Sequence, residues 1–524
     1  MRFVNVALVA FASLGQGARC TSAGGAPVVQ TSSGKIKGHA APNVSGVWEF
    51  LGIRYAQPPV GELRFAAPES LENSSKTSVD ASSWPMDKDC PANLAPPSTF
   101  PNFTGNGAHI VSIFTGHTGN PQSEDCLALN IWTKSCSSST KKPVLIFLHG
   151  GRFAIPGPHN PFYQGQYLAG AEDLVIVTIN YRLGIFGFPG GPGLTQNVGL
   201  LDQRAAVEWV KSNIAGFGGD TSRIILWGQS AGAASVDYYS YAYKSDPIIA
   251  GLISDSGTAL SFNPNTPAYS LSSFYNVSGT LGCGGPNDDP ATVVACVRQQ
   301  TFSAILAAVL KAPPLPSPVL AQPVFHPTVD NVTVFSDYSA LSAAHAYAKI
   351  PYLLGNNANE DGTYRVNAFA AGVSLTDAQW AAFDRAAFTC PTMAEANSRS
   401  AAKVPVWRWF YNGVWPNLNI FNNSGTYHGS DLTLVFGTTL NLTGQADTAA
   451  EATVGKYFMN AFAAFAKNPT SGLTSFGWPV YNPKTASLNE IALADSTTPK
   501  FVKSSTVDSQ CPAVNNPTPG MGAF

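Results

Sequence analysis

The chain has 524 residues, a formal net charge of −2 and a hydrophobic content of 44%, which allows a large buried core. Only 12% of the residues are charged. No cluster of lysine and arginine stands out, so the composition excludes nucleic acid as a partner.

The first residues have the pattern of a secretory signal peptide. In "MRFVNVALVAFASLGQGARC", one early arginine precedes a short apolar stretch and then small residues, and the stretch is too short to span a bilayer. We therefore expect a signal peptide over residues 1–20, a secreted extracellular protein and no membrane span elsewhere. A disordered leader is the alternative. The segment "NNPTPGMGAF" lacks the hydrophobic end that a lipid-anchor signal requires.

The chain has eight cysteines. In an exported protein, cysteines are expected to form disulfides, because disulfides persist in an oxidising compartment. No CxxC pair occurs, so we expect disulfides and no metal cluster. Seven sequons indicate N-glycosylation, with several of them used: Asn43, Asn73, Asn102, Asn276, Asn331, Asn422 and Asn441.

Six apolar runs rich in β-branched residues predict buried strands, as in a parallel sheet covered on both faces. In chain order they are "PVLIFLHGG", "DLVIVTINY", "RIILWGQS", "IIAGLISDSG", "IPYLLGNN" and "VWRWFY". The segment "NVGLLDQRAAVEWVKSNIAGFGG" predicts a helix between the second and third runs, because its apolar residues recur near helical spacing and glycines follow. Alternating strands and helices predict a doubly wound α/β sheet, with its chemistry beyond the carboxyl ends of the strands.

We interpret residues 21–524 as one catalytic domain with long insertions. The segment from about 261 to 322 is predicted to lie mostly over the sheet as an insertion. Within it, "APPLPSPVLAQP" is typical of a rigid surface connection.

The third run ends in a G-x-S-x-G motif, Gly228-Gln229-Ser230-Ala231-Gly232. A strand that turns sharply into a helix strains the serine backbone and crowds its neighbours, so both flanks must lack bulk. The alanines that follow allow the helix to approach the sheet closely. Its N-terminus points free amides at the serine, where negative charge develops during acyl transfer. Ser230 is the predicted nucleophile.

A serine nucleophile needs a base and a carboxylate that orients the base. His428, in "GTYHGSDL", follows the last apolar run on a loop-like stretch, whereas His149 precedes two glycines and is interpreted as structural. The remaining histidines lie in ordinary loop or surface contexts: His39, His109, His117, His159, His326 and His345. Glu360 and Asp361 come just after a strand, and either fits the order serine, acid, histidine.

From about Gly34 to Cys511, the chain resembles the type-B carboxylesterases, which include cholinesterases, fungal lipases and the non-catalytic neuroligins, and it is most like the secreted fungal members. The resemblance rests on "FLGIRYAQPPVGELRF", "SEDCLALNIW", "NYRLGIFGF" and "NVGLLDQRAAVEWVKSNIAGFGGDTSRIILWGQSAG". It implies an α/β-hydrolase fold with a large, mostly parallel sheet.

The resemblance also implies roles for individual residues. The family's acid lies five residues after the glycine that closes its strand, which from Gly355 gives Glu360, although Asp361 interrupts the usual Glu-Gly pair. The family's histidine lies in a short turn that His428 matches. The oxyanion-hole amides become Gly151, Arg152 and Ala231.

Arg152 stands where the family has a third glycine. An arginine still has the backbone N–H that glycine would supply, so the oxyanion hole can survive if the backbone at residue 152 has a negative φ. One hypothesis is that the Arg152 side chain points toward the acyl side and favours anionic or polar acyl groups. The alternative is a surface ion pair.

The resemblance implies three disulfides, Cys90–Cys126, Cys283–Cys296 and Cys390–Cys511. Cys20 and Cys136 remain, and they can pair only if the signal peptide is cleaved before Cys20. The Cys90–Cys126 loop carries apolar residues that could line a substrate channel or pack onto the body: Phe100, Phe103, Ile110, Val111, Ile113 and Phe114.

The predicted function is hydrolysis of carboxylic esters through an acyl-enzyme, with no cofactor and no metal. The substrates are small esters or, as the alternative, the long acyl chains of a lipase or sterol esterase. Choline esters are not expected, because the loop has no tryptophan and Gln229 stands where cholinesterases place a glutamate. A non-catalytic adhesion protein on the same fold and a secreted amidase are the other readings.

Overall fold

The computed structural model describes residues 20–21, 25–71, 78–81, 88–135, 140–157, 159–314 and 322–512. These residues form an 11-stranded sheet and a separate 4-stranded sheet. The strands are β1 Cys20–Thr21, β2 Val28–Thr31, β3 Gly34–Lys37, β4 His39–Ala40, β5 Trp48–Arg54, β6 Ser78–Asp80, β7 Ala128–Thr133, β8 Lys142–Leu148, β9 Val175–Ile179, β10 Gly219–Gln229, β11 Gly251–Asp255, β12 Tyr352–Asn357, β13 Val406–Tyr411, β14 Ala486–Ile491 and β15 Lys500–Lys503.

Helices connect most of the strands of the large sheet. They are α1 Gly107–Phe114, α2 Gln166–Glu172, α3 Gly184–Gly187, α4 Val198–Asn213, α5 Ala231–Ala242, α6 Pro267–Thr280, α7 Pro290–Gln299, α8 Phe302–Val309, α9 Tyr338–Ala343, α10 Asp361–Ala370, α11 Asp377–Asp384, α12 Cys390–Ala401, α13 Leu432–Phe436, α14 Thr439–Thr443, α15 Ala449–Lys467, α16 Gly472–Ser475 and α17 Ser505–Asp508. A π-helical turn, Arg385–Thr389, joins α11 to α12.

The large sheet has the order β15-β14-β13-β12-β11-β10-β8-β9-β7-β5-β4. The six predicted strands are β8 to β13, and they lie side by side and pair in parallel. The two edges of the sheet are antiparallel. The predicted doubly wound α/β sheet and the helix α4 are confirmed.

Apolar cores cover both faces of the sheet. Along β8, Val144, Ile146 and Leu148 join a core that includes α4, whereas Leu145 and Phe147 join a core that includes α15. Successive side chains of a strand point to opposite faces, so a strand between two cores must be apolar at every position. This explains the continuous apolar runs of the sequence.

The segment after β11 contains α6, α7 and α8, which pack with Phe65, Ile185 and Phe186 in a third apolar cluster. No single helix of the described residues is long and apolar enough to cross a membrane, although α7 and α8, bent by 114°, pass that test as a pair by length and composition.

The disulfides Cys90–Cys126, Cys283–Cys296 and Cys390–Cys511 are present, as the resemblance implied. Several predictions concern residues outside the described part of the chain: the signal peptide except Cys20, most of the proline-rich connection, Asn73, and the partner of Cys136.

Candidate active site

The serine of the nucleophile motif lies between β10 and α5. Ser230 has φ 59° and ψ −123°, and it separates the last residue of β10 from the first residue of α5. This conformation is strained for a residue with a side chain, and such strain clusters at functional sites. The Ser230 N–H donates to the carbonyl oxygen of Asp255 at 2.8 Å, which anchors the turn to the neighbouring strand β11.

The glycines that flank Ser230 permit very close packing. A Cβ on Gly228 would lie 2.3 Å from the backbone of Gly232, and a Cβ on Gly232 would lie 2.0 Å from the carbonyl oxygen of Leu148. Protein interiors are already close-packed, so a side chain at either position would push α5 away from the sheet. The predicted need for small flanking residues is confirmed.

Two of the three predicted oxyanion amides, those of Gly151 and Ala231, have no hydrogen-bond acceptor among the residues that the structure describes. Ala231 is the first residue of α5, where backbone N–H groups have no partner within the helix. A Cβ on Gly150 would lie 2.8 Å from the Cβ of Ser230, so the turn before Gly151 abuts the nucleophile. Both amides are therefore available beside Ser230.

The negative φ that was the condition for an intact oxyanion hole at Arg152 is not observed. Gly151, Arg152 and Phe153 have φ values of 92°, 57° and 59°, so the arginine adopts the left-handed conformation that glycine favours. In this turn the N–H groups of Ala154 and Ile155 both donate to the carbonyl oxygen of Gly151, each at 2.9 Å.

The Arg152 guanidinium lies within electrostatic range of the Tyr364 hydroxyl and of the buried His326. Burial lowers the pKa of Arg152 to about 10, and the Tyr364 side chain opposes this shift. Arg152 is half-buried, with its guanidinium near Tyr364 and His326.

The structure brings His428 and Glu360 together, although 68 residues separate them in the chain. The Nδ1 atom of His428 lies 2.6 Å from Oε2 of Glu360. The other carboxylate oxygen accepts the N–H of Asn357 at 2.7 Å, and Glu360 is fully buried. A carboxylate held in this way fixes the ring orientation and stabilises its protonated form.

Asp361, the other acid considered, faces elsewhere. It forms an ion pair with Arg365, one helical turn further along α10. It also lines a polar cavity of about 440 Å³ together with Asp377 and Asp384. Neither Ser230 nor His428 lines that cavity.

The Nε2 atom of His428 faces the side chain of Gln229. It is 3.1 Å from the side-chain amide nitrogen of Gln229, the residue before Ser230. An amide NH₂ group can only donate, so Nε2 is the acceptor and Nδ1 carries the proton that faces Glu360. A general base requires this tautomer, because it leaves the lone pair on Nε2 and the proton on Nδ1.

Tyr364 is a residue of the site that the sequence analysis missed. Its hydroxyl is hydrogen-bonded to the side chain of Ser230, and its ring lies 5.4 Å from the ring of His428. Burial raises the pKa of Tyr364 well above its usual value, so the phenol stays neutral. Its position four residues after Glu360 in α10 was the available signal, since such residues share a helix face.

Aromatic rings surround the imidazole. The centroids of Phe388 and Phe114 lie 5.0 Å and 6.1 Å from that of His428. Phe388 belongs to the π-helical turn, and such turns are frequent at functional sites. Several apolar residues were singled out in the Cys90–Cys126 loop. Ile110, Val111 and Ile113 are buried in the core, Phe100 packs on Phe421, and Phe103 forms a β-bridge with Phe421. Phe114 packs against the ring of His428.

Two buried carboxyl groups lie under the site. Asp255 and Asp431 interact electrostatically with each other, and Asn357 donates to Asp431 at 3.0 Å. Burial raises the pKa of Asp431 to about 6 and that of Asp255 well above its usual value, and the neighbouring Glu360 adds to both shifts. The pair therefore retains a proton at mildly acidic pH.

His149 is structural, as predicted. It is 1% exposed, its ring stacks on Tyr181 at 4.4 Å, and burial lowers its pKa to about 4. His326 lies in a loop, one of the two contexts expected for it, but it is buried, and its ring nitrogens lie 2.7 Å and 3.1 Å from the carbonyl oxygens of Pro323 and Asn263. These two carbonyl groups lie at the two ends of the predicted insertion, whose backbone therefore covers His326.

Comparison with known proteins agrees with this geometry. The sequence model of the carboxylesterase family matches residues 25–378 and 367–510, which is most of the chain. The chain belongs to the carboxylesterase family. The family implies the α/β-hydrolase fold, in agreement with the 11-stranded mixed sheet and its surrounding helices.

Relatives in this family are esterases and lipases. The chain is 34% identical to a chlorogenic acid esterase of Aspergillus niger, over 85% of this chain and 83% of the relative. It is 32% identical to secreted lipase 5 of Gibberella zeae, over 86% and 87%. An acetylcholinesterase of Bungarus fasciatus is 29% identical over 89% and 83%. The protein is a carboxylic ester hydrolase.

Proposed function

We propose that this carboxylesterase works through a Ser230–His428–Glu360 triad and an acyl-enzyme intermediate. The observation that carries the proposal is the orientation of His428, whose Nδ1 faces Glu360 at 2.6 Å while Nε2 faces the residue next to Ser230. A base oriented by a carboxylate and turned toward a strained serine is the arrangement that nucleophilic acyl transfer needs.

In the first half-reaction, Ser230 Oγ attacks the ester carbonyl carbon and His428 Nε2 takes the serine proton. The carbonyl oxygen becomes an oxyanion, which the amides of Gly151 and Ala231 stabilise. The positive φ of Arg152 strains its backbone without removing the N–H, so we keep this amide as the proposed third donor. His428 then donates its proton to the alcohol as it leaves. In the second half-reaction, water attacks the acyl-enzyme with His428 again as base, and the acid is released. No step requires a cofactor or a metal.

Among esters, small substrates and long acyl chains are both represented in the names of the relatives, a chlorogenic acid esterase and a secreted lipase. The rings of Phe114, Tyr364 and Phe388 around His428 give the acyl group an aromatic wall. We propose hydrolysis of small esters, chlorogenate-type aromatic esters included, as the main activity. Activity that rises sharply at an oil–water interface would favour the lipase reading instead.

We further propose that the protein is secreted, with residues 1–20 removed, residues 21–524 as one catalytic domain, and N-glycans on its surface. The secreted lipase among the relatives supports export. The six described sequon asparagines are exposed, as a glycan requires: Asn43, Asn102, Asn276, Asn331, Asn422 and Asn441.

The decisive test is Ser230→Ala on 4-nitrophenyl butyrate. We expect kcat to fall by about a millionfold because the nucleophile is lost, while the circular dichroism spectrum stays that of the parent. Ser235→Ala is the matched control, since Ser235 is also buried and lies one helical turn further along α5. It should keep parental turnover. Comparable rates for Ser230→Ala and the parent would contradict the triad.

A further inference from the structure

Arg152 occupies the turn of the oxyanion hole, where a long cationic side chain is unexpected. A residue other than glycine at φ 57° costs about 1 kcal/mol or more. Glycine would avoid this cost and still supply the backbone N–H. The turn also places Arg152 next to an amide available to the oxyanion, that of Gly151. The strain therefore suggests that the side chain itself has a use.

The side chain of Arg152 is linked to the nucleophile through one residue. Its guanidinium acts electrostatically on Tyr364, whose hydroxyl is hydrogen-bonded to Ser230. With a pKa of about 10, Arg152 is cationic at neutral pH, whereas Tyr364 remains a neutral phenol. A cation and a hydroxyl donor thus lie together at one side of the reacting serine.

We propose that Arg152, assisted by the Tyr364 hydroxyl, is a specificity-determining residue that selects esters whose acyl group carries a carboxylate, such as monoesters of dicarboxylic acids. This inference rests on the proposed function, because it takes Ser230 as the nucleophile. A guanidinium presents a planar set of N–H donors that matches a carboxylate, and charge-assisted hydrogen bonds of this kind are about twice as strong as neutral ones.

The acyl group, rather than the alcohol, is the part of the ester that stays beside this turn. Its carbonyl oxygen remains at the amides of Gly151 and Ala231 through both half-reactions, whereas the alcohol departs past His428 after the first. A contact with the acyl group can therefore lower the barrier to both acylation and deacylation. The aromatic rings of Phe388 and Tyr364 beside His428 would pack on the apolar part of the same group.

The test compares two substrates that differ only in a terminal carboxylate, mono-4-nitrophenyl glutarate and 4-nitrophenyl pentanoate. The measured quantity is the ratio of their kcat/KM values. In Arg152→Gln we expect this ratio to fall by about tenfold to hundredfold, the usual loss for a hydrogen bond to a charged group. Arg152→Lys keeps the charge without the planar donors and should retain an intermediate ratio.

Arg223→Gln is the matched control, because Arg223 lies toward the opposite end of the same strand β10. It should leave the ratio at the parental value. Arg152→Gly relaxes the strained turn, so it should fold at least as well as the parent and still lose the preference for glutarate.

Three outcomes would overturn the inference. An unchanged ratio in Arg152→Gln shows that the guanidinium does not contact the acyl carboxylate. If Arg152→Gln lowers kcat/KM more for 4-carboxyphenyl pentanoate than for the glutarate ester, the guanidinium contacts the alcohol part of the ester instead. A parent that hydrolyses both substrates while preferring pentanoate, with the preference unaltered in Arg152→Gly, excludes recognition of an anion. Failure of the triad itself is separate, since it would appear as activity retained in Ser230→Ala.

Discussion

At the scale of single residues, the site depends on which of two adjacent carboxylates faces the imidazole. Glu360 is the last residue before α10 and its side chain turns back toward His428, whereas Asp361 is the first residue of the helix and pairs with Arg365. Neighbouring residues at the start of a helix point in directions about 100° apart. Glu360 and Asp361 therefore contact different partners, although they are adjacent in the sequence.

The first prediction compares these two acids. We expect Glu360→Gln to lower kcat by about ten-thousandfold, because an uncharged partner favours the wrong imidazole tautomer and no longer stabilises the imidazolium. Asp361→Asn is the matched control and should stay within about tenfold of the parent, since Asp361 pairs with Arg365. Steady-state kinetics on 4-nitrophenyl butyrate gives both values. A larger loss in Asp361→Asn than in Glu360→Gln would assign the role to Asp361.

The sequence could point to Ser230 and His428 as candidates for the site, but not to the conformation of Arg152 or the contact of Tyr364. The nucleophile motif is local, because a sharp turn requires small residues on both sides of one serine. The left-handed conformation of Arg152 belongs to a turn packed against Ser230, and the Tyr364 contact depends on how α10 meets α5. Such features are tertiary, and residue types alone do not report them.

At the scale of elements, the position of the nucleophile depends on how closely α5 approaches the strands β8 and β10. The six central strands were predictable because burial on both faces demands continuous apolar sequence. The antiparallel edge strands were not, because strands such as β4 and β15 are only two to four residues long and carry no apolar run. Ser230 and Glu360 follow two of these six central strands, β10 and β12, so the candidate site lies at the carboxyl ends of the strands that the sequence predicts.

The second prediction concerns this approach. Gly232→Ala should destabilise the protein by about 1–3 kcal/mol, because its Cβ would lie 2.0 Å from the Leu148 carbonyl oxygen and α5 must shift. The same shift moves Ser230, so kcat should fall as well. Gly279→Ala is the control, since a Cβ there meets nothing within 4 Å and Gly279 lies within α6. That variant should gain up to about 1 kcal/mol in urea unfolding. Equal unfolding free energies for Gly232→Ala and the parent would contradict the close-packing argument.

At the scale of the whole molecule, stability is coupled to pH through the carboxyl pair beneath the site. Asp255 and Asp431 are both buried and interact electrostatically, and the pKa of Asp431 is raised to about 6 because burial disfavours its charged form. In the unfolded chain an aspartate has a pKa near 3.9. Between these values the native state binds more protons than the unfolded state, so stability must fall as pH rises.

The third prediction is that Asp431→Asn flattens this dependence. The parent should lose up to about 3 kcal/mol of unfolding free energy between about pH 4 and pH 6, with the contribution of Asp431 fully present below that window. Asparagine resembles the protonated carboxyl group and does not ionise, so the variant should lose less over the same range and exceed the parent in stability at pH 8. Asp246→Asn, at an exposed site, is the control and should keep the parental slope. Urea unfolding at several pH values measures the difference. Parallel curves for the parent and Asp431→Asn would mean that the buried pair does not hold its proton in the native state.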